Sequence, residues 1–307
     1  MTISSRAPEA AALTALAEDV HAFVQPDGGW CLNNAGLVTG GGRGVLIDTA
    51  ATRTRAERLR RAVERVLPGG PDLVVNTHFH GDHHFGNCLF VPAATVVAQQ
   101  DVREQILRAG LDLQRIWPGV GWGEIELVAP TLTFRESLTL HLGELTVELR
   151  DVGPAHTSHD VVAWVPERGV LFTGDVAWSG VTPFCLMGSL DGSLAALETL
   201  RAYGATTVVP GHGPTGGPEI LDATEAYLRW LQETACQGHK AGRTPLEAAR
   251  DAELGEFARL LDSERLVANL HRAYAELDGA PAGAELDIVG PFGEMAAYHG
   301  GLPDCHA

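Results

Sequence analysis

Four side chains able to bind a metal stand within six residues, as His78-x-His80-x-Asp82-His83. Imidazole and carboxylate together suit zinc, iron, manganese or nickel, and the soft thiolate ligands are missing from the segment. It comes after the apolar run Leu73-Val74-Val75, which reads as a short buried strand, and Gly81 lets the backbone turn tightly inside it. A tight loop at a strand end can aim successive side chains at two adjacent ions. Three more polar residues share this setting. His156 comes after Leu149–Ala155, Asp175 after Val170–Gly174 and His212 after Thr206–Gly211, each just past an apolar run and beside glycine or proline. A sheet holds groups at its strand ends in well-defined positions, so these seven residues are candidates for one site.

The elements that must position them can be read in outline. Trp30 to Val38 and Val45 to Thr49 read as two strands joined by the glycine-rich turn at 40–44. Arg53 to Leu67 has helical periodicity and is stopped by Pro68-Gly69-Gly70-Pro71. A strand at Thr95–Ala98 leads into a helix near Asp101–Ala109, and 111–129 reads as a long irregular loop. Strands return at Thr133-Phe134, Leu138–Leu142 and Leu145–Leu149, the last two separated by a tight turn at Gly143-Glu144. Further strands are expected at Val161–Val165, Val170–Thr173 and Thr206–Val209, with a helix over Ser193–Tyr203. Helices fill much of 217–278. Residues 11–20 read as a short helix or fraying arm, and the stretch from Gly279 onward, rich in Gly, Pro and Ala, reads as coil. This order is no regular βαβ series. Two sheets face to face with helices outside both would cover every apolar face.

With these motifs in place the chain resembles the metallo-beta-lactamase superfamily over about residues 30–235. The match rests on Thr77-His78-Phe79-His80-Gly81-Asp82-His83, Gly153-Pro154-Ala155-His156-Thr157, Leu171-Phe172-Thr173-Gly174-Asp175 and Val209-Pro210-Gly211-His212-Gly213. The resemblance implies an α/β fold, an αββα four-layer sandwich of two mixed sheets flanked by helices. Its core would span residues 1–235, with 236–307 a helical extension and tail packed on it. It further implies two divalent metal ions per chain, zinc first, with iron or manganese also suited to the donors. His78, His80 and His156 would hold one ion, Asp82, His83 and His212 the other, and Asp175 would bridge them. Asp48 resembles a position that supports the ligand loop, whereas His84 falls outside the pattern and reads as core packing.

The implied activity is that of a metal-dependent hydrolase. Two adjacent cations would bring a shared water to hydroxide near neutral pH, and Asp82 would orient it as the catalytic carboxylate. Aromatic and sulfur-bearing residues in 117–122 and in Trp178–Met187 suit an apolar ester, lactone, thioester or amide. Phosphodiester or sulfate-ester hydrolysis is the alternative, and a di-iron redox module a more distant one. His159, three residues after His156, is the best-placed further residue for touching substrate.

The rest of the sequence narrows the class. A net charge of -17 opposes nucleic-acid binding and leaves a small molecule as the expected partner. The opening residues lack the pattern of an export signal and no apolar run is long enough to cross a bilayer, so the expected setting is the cytoplasm, without a membrane partner. Five scattered cysteines form no CxxC pair and no disulfide framework. The helices beyond 217 exceed what closes the sandwich; they could cap the pocket or build a homodimer interface.

Overall fold

A computed structural model describes residues 13–307. Among these residues twelve strands form two sheets. The first holds β1 (Leu13–Ala17), β2 (Val20–Phe23), β3 (Ala35–Gly40), β4 (Arg43–Ile47), β5 (Leu73–Val75), β6 (Thr95–Gln99) and β7 (Leu132–Phe134), side by side in chain order. Its pairing is antiparallel up to β4 and parallel from β4 to β7. The second holds β8 (Ser137–Leu142), β9 (Leu145–Asp151), β10 (Val161–Val165), β11 (Val170–Trp178) and β12 (Thr207–His212), in the order β12-β11-β10-β9-β8, with only β11 and β12 parallel.

The alternation of side chains along each strand assigns the layers. Val38, Val45, Ile47, Val75 and Val97 of the first sheet meet Val161, Ala163, Val165, Phe172 and Val209 of the second, forming the core between the sheets. Their chain neighbours Leu37, Leu46, Val74 and Val96 face the other way and pack on Leu59, Ala62 and Val63 of helix α1 (Arg53–Val66). On the far side, Val162, Trp164, Leu171 and Val208 face the later helices. Thus strands such as β10 and β11 bury both faces, which is why the sequence shows them as unbroken apolar runs. The architecture is the αββα sandwich.

The remaining helices are α2 (Gly81–His84), α3 (Gln100–Ala109), α4 (Leu113–Ile116), α5 (Leu190–Ala202), α6 (Glu219–Lys240), α7 (Pro245–Asp251), α8 (Arg265–Leu277) and α9 (Val289–His299). Helix α6 runs through residue 235 without a break, and α5, α6 and α8 share one apolar cluster with the outer face of the second sheet. Among the described residues no helix is long and apolar enough to cross a membrane, and the five cysteines are unpaired.

Three expectations are corrected. The stretch 11–20 is not helical: from Leu13 it forms the β1–β2 hairpin, with Leu13 opposite Phe23 and Asp19 at φ 65° in the turn. Residues 11 and 12 lie outside the described residues. Nor is the chain beyond Gly279 all coil, because α9 forms there. Gly290, Pro291 and Gly293 give it poor intrinsic propensity. Tertiary contact overrides this, since Met295 is fully buried, Asp287 accepts from the amides of Val289 and Gly290 at the N-terminus, and Gly300 closes the helix at φ 90°. The first full strand also begins at Ala35 rather than Trp30.

Candidate metal centre

The seven candidate residues converge at one edge of the sandwich. His78 and His80 come after β5, and Asp82 and His83 sit on the single turn α2. His156 belongs to the β9–β10 connection, Asp175 to β11 and His212 to the last position of β12. Close backbone approach makes two glycines obligatory. A Cβ on Gly81 would strike the Phe85 ring, and one on Gly211 would lie 1.8 Å from Asp175 Oδ1. The demand at Gly81 is therefore for space, not for an unusual φ.

The inward atoms fall into two groups. In the first, His80 Nδ1 lies 3.2 Å from His78 Nε2 and 2.8 Å from His156 Nε2, and His156 Nε2 lies 3.3 Å from Asp175 Oδ2. In the second, Asp82 Oδ2 is 3.7 Å from His83 Nε2 and 3.3 Å from His212 Nε2. Asp175 reaches both groups: Oδ1 is 3.2 Å from His83 Nε2 and Oδ2 is 3.5 Å from His212 Nε2. Donors arranged tetrahedrally about a cation at ~2.1 Å stand roughly 3.4 Å apart. Within each group the observed spacing is that of ligands around a cation.

Each imidazole has its outer nitrogen occupied, which turns the lone pair of the other inward. His156 Nδ1 donates to the Phe184 carbonyl and His212 Nδ1 to the Gly28 carbonyl. His83 Nδ1 donates to Asp48 Oδ2 at 2.8 Å. His78 Nδ1 meets Thr77 Oγ1, whose own proton goes to Asp48 Oδ2 at 2.7 Å. His80 is held by Met187 Sδ at 3.2 Å from Nε2, leaving Nδ1 for the site. Among the described residues His83 Nε2 and Asp175 Oδ1 are buried without a hydrogen-bond partner. A buried group normally has one, and these atoms face the positions a cation would take. The donor set therefore fits a pair of divalent ions.

Asp48 lies outside the donor set and holds it from behind. At φ 59° it turns its carboxylate under the loop, where it accepts from the Thr77 amide and hydroxyl and from His83. His84 is buried, stacks edge-on against Phe85 at 5.0 Å, and is held neutral, its pKa lowered to about 4 by burial.

Electrostatics divide the histidines of the metal-free chain. Burial, and after it the neighbouring rings, lowers His78 well below its ordinary range and His80 to about 3. Burial also opposes charge on His83 and His212, yet the Asp175 and Asp82 carboxylates outweigh it. They raise His83 well above the usual value and His212 to about 9. Burial in turn opposes charge on Asp82 and Asp175, and His83 and His212 outweigh it, keeping both carboxyls ionised.

The centre opens into a narrow cleft of ≈ 60 Å³ bounded by Trp178, Phe184 and Met187, as the sequence suggested for that loop, and by Trp30, Cys31, Ile116, Arg265 and Phe292. The last group was not foreseen. Arg265 is 1% exposed, with its guanidinium 4.0 Å from the Trp30 ring centre and 4.9 Å from that of Trp178. It donates to the Thr182 carbonyl and to Asp262. Nothing in the sequence separates it from the solvated arginines around it. Trp117 stands one layer back, against Trp30. His159 is turned away from the cleft and pairs with Asp151 at 2.8 Å. Cys305 approaches the Trp30 carbonyl, and Pro303 accepts from Trp117 Nε1, so the tail packs on the chain's own cleft wall.

The family model of the metallo-beta-lactamase superfamily matches residues 28–212, a span that contains all seven donors. The linear primary-alkylsulfatase of Pseudomonas sp. is 24% identical over 255 residues, covering 68% of this chain and 48% of that protein, so the chain spans about half the length of this relative. The acyl-coenzyme A thioesterase MBLAC2 of Bos taurus is 27% identical over 215 residues, covering 61% and 75%. Among solved structures, a metallo-beta-lactamase from Pontibacter korlensis superposes with a TM-score of 0.58 over 71% of this chain and 99% of its own, at 23% identity, which is a likeness of fold. By its matched motifs, its αββα architecture and its His/Asp cluster, the chain belongs to the metallo-beta-lactamase superfamily.

Proposed function

We propose that the chain binds two divalent ions, zinc by preference, and hydrolyses a carbonyl ester, thioester, lactone or amide whose substituents are apolar. The observation that carries this reading is the inward aim of five imidazole lone pairs around the Asp175 carboxylate. Imidazole and carboxylate donors without thiolate suit zinc, iron or manganese. When bound, such ions lower the pKa of water and polarise a carbonyl.

The protein's own residues supply the rest. Asp82 borders the cleft with a tenth of its side chain exposed and stays ionised, so its carboxylate can hold an attacking water by one of its protons and accept that proton. Asp48 and the Phe184 and Gly28 carbonyls fix the ring orientations, so the donors need no rearrangement during turnover. Trp30, Trp178, Phe184 and Phe292 give the cleft apolar walls that exclude bulk water and suit an apolar substituent.

Sulfate-ester hydrolysis is the second reading, favoured by the buried Arg265 guanidinium in the cleft wall. One panel separates the two: chromogenic carboxylic esters, thioesters, lactones, sulfate esters and phosphodiesters, assayed after metal analysis and again after chelation. Carbonyl substrates are expected to dominate, and turnover to vanish with the metal. Undiminished turnover by fully metal-free protein would overturn the proposal.

A further inference from the structure

The cleft over the metal centre is narrow, ≈ 60 Å³, so a substrate larger than its scissile group must extend beyond it. A second cleft of ≈ 610 Å³ adjoins it, within the range of roughly 300–1,000 Å³ typical of small-molecule sites. Met187 borders both clefts. The larger one is walled by Phe79, which directly precedes His80, and by Leu186, Leu286 and Ile288, while Gln105 and Ser158 form a polar strip bonded to each other. At its outer rim Arg108 pairs with Glu285 at 3.5 Å, both exposed.

Resting on the function proposed above, we propose that this second cleft is the subsite for the apolar chain of the substrate, a medium-length aliphatic acyl group, with Met187 as the gate between chain and scissile carbonyl. Three observations fix the occupant. The lining is chiefly apolar, which suits a hydrocarbon; Gln105 Oε1 is buried there without a partner among the described residues, and Arg108, paired with Glu285, leaves no unpaired cation for a charged group. The cleft joins the metal centre through Met187, whose sulfur lies 3.2 Å from His80 Nε2. Methionine is unbranched and flexible, so its methyl end can shift against the entering chain without moving the backbone or the sulfur that orients His80. Finally, the wall is built from two parts of the chain far apart in sequence, α3 on one side and 283–288 on the other. This gives a role to a segment that the metal site does not use.

The test uses the metal-loaded full chain and acyl esters from acetyl to decanoyl, with decyl methyl ketone as an uncleavable probe read by thermal shift. Burying each added methylene is expected to raise kcat/KM by roughly fourfold until the cleft is full. Ala109→Trp fills the cleft from the last turn of α3, away from the donors. It should flatten the chain-length dependence through KM, spare the acetyl ester, and abolish the ketone's thermal protection. Leu286→Ala enlarges the cleft without adding bulk. It should move the optimum to longer chains, which guards against an Ala109→Trp protein that fails to fold. Equal chain-length profiles in wild type and Leu286→Ala, or ketone protection unchanged in folded Ala109→Trp, would overturn the subsite. Failure of the hydrolase reading looks different: no ester of any length is cleaved, yet the ketone still protects wild type and not Ala109→Trp.

Discussion

Asp48 illustrates how much one residue outside the donor set controls. Its two oxygens bind the Thr77 amide and hydroxyl and His83 Nδ1, so a single carboxylate sets the direction of His83 and, through Thr77, of His78. Asp48→Asn keeps the size but removes the charge. Supporting residues of this kind typically contribute about 10- to 100-fold in metal affinity, and that loss is expected in competition titrations against a chelator, with the far-UV spectrum unchanged. Proton competition is the second consequence at this scale. In the metal-free chain His212 titrates near 9 and His83 is also raised, each held up by Asp175 and Asp82 against the effect of burial. Below those values the rings carry the protons that a cation must displace. Apparent affinity should therefore climb as pH rises toward about 9, with proton release detected by calorimetry in buffers of differing ionisation enthalpy. Flat affinity and no release would contradict the assignment. The seven candidates that the structure brings together were legible in the sequence because four of them lie within six residues and the others come just after apolar runs. Arg265 and Trp30 were not, because their place at the cleft depends on contacts across more than 200 residues of chain, such as Trp30 Nε1 to Glu264 at 2.6 Å.

At the scale of elements, strands buried on both faces were readable as apolar runs, and their ends located the site. Two elements escaped for opposite reasons. The β1–β2 hairpin is an edge, where Leu13–Ala17 is only partly buried and leaves a weak pattern. Helix α9 is made by packing against local preference, with glycines at 290 and 293 and Met295 at 0% exposure. Its formation matters to the site because it carries Phe292 to the metal cleft. Met295→Ala is expected to cost about 2–5 kcal/mol in denaturant unfolding, as for other deeply buried methionines. An effect below about 0.5 kcal/mol, the range of an ordinary surface substitution, would mean α9 is not docked as described. His159, which its spacing from His156 recommended, belongs to an Asp151–Asp101 pairing at the rim. Proximity in sequence did not carry through the turn at 153–160.

For the molecule as a whole, the outer face of the second sheet and the helices beyond it share one apolar cluster, and the C-terminal tail returns to the wall of the metal cleft. The site is thus closed by parts of the chain far from the motifs that define it. The family was legible from those motifs alone. The shape of the cleft was not, since it is set by how α8, α9 and the tail settle on the core. All of the proposed chemistry depends on seven side chains, drawn from both sheets, holding two adjacent cations. Anomalous diffraction at the metal absorption edge, on crystals of metal-loaded protein, would locate those cations without reference to activity. Two peaks about 3.5 Å apart are expected, one among His78, His80 and His156, the other among Asp82, His83 and His212, with Asp175 touching both. A single peak away from Asp175, or none at this edge of the sandwich, would contradict the dinuclear centre.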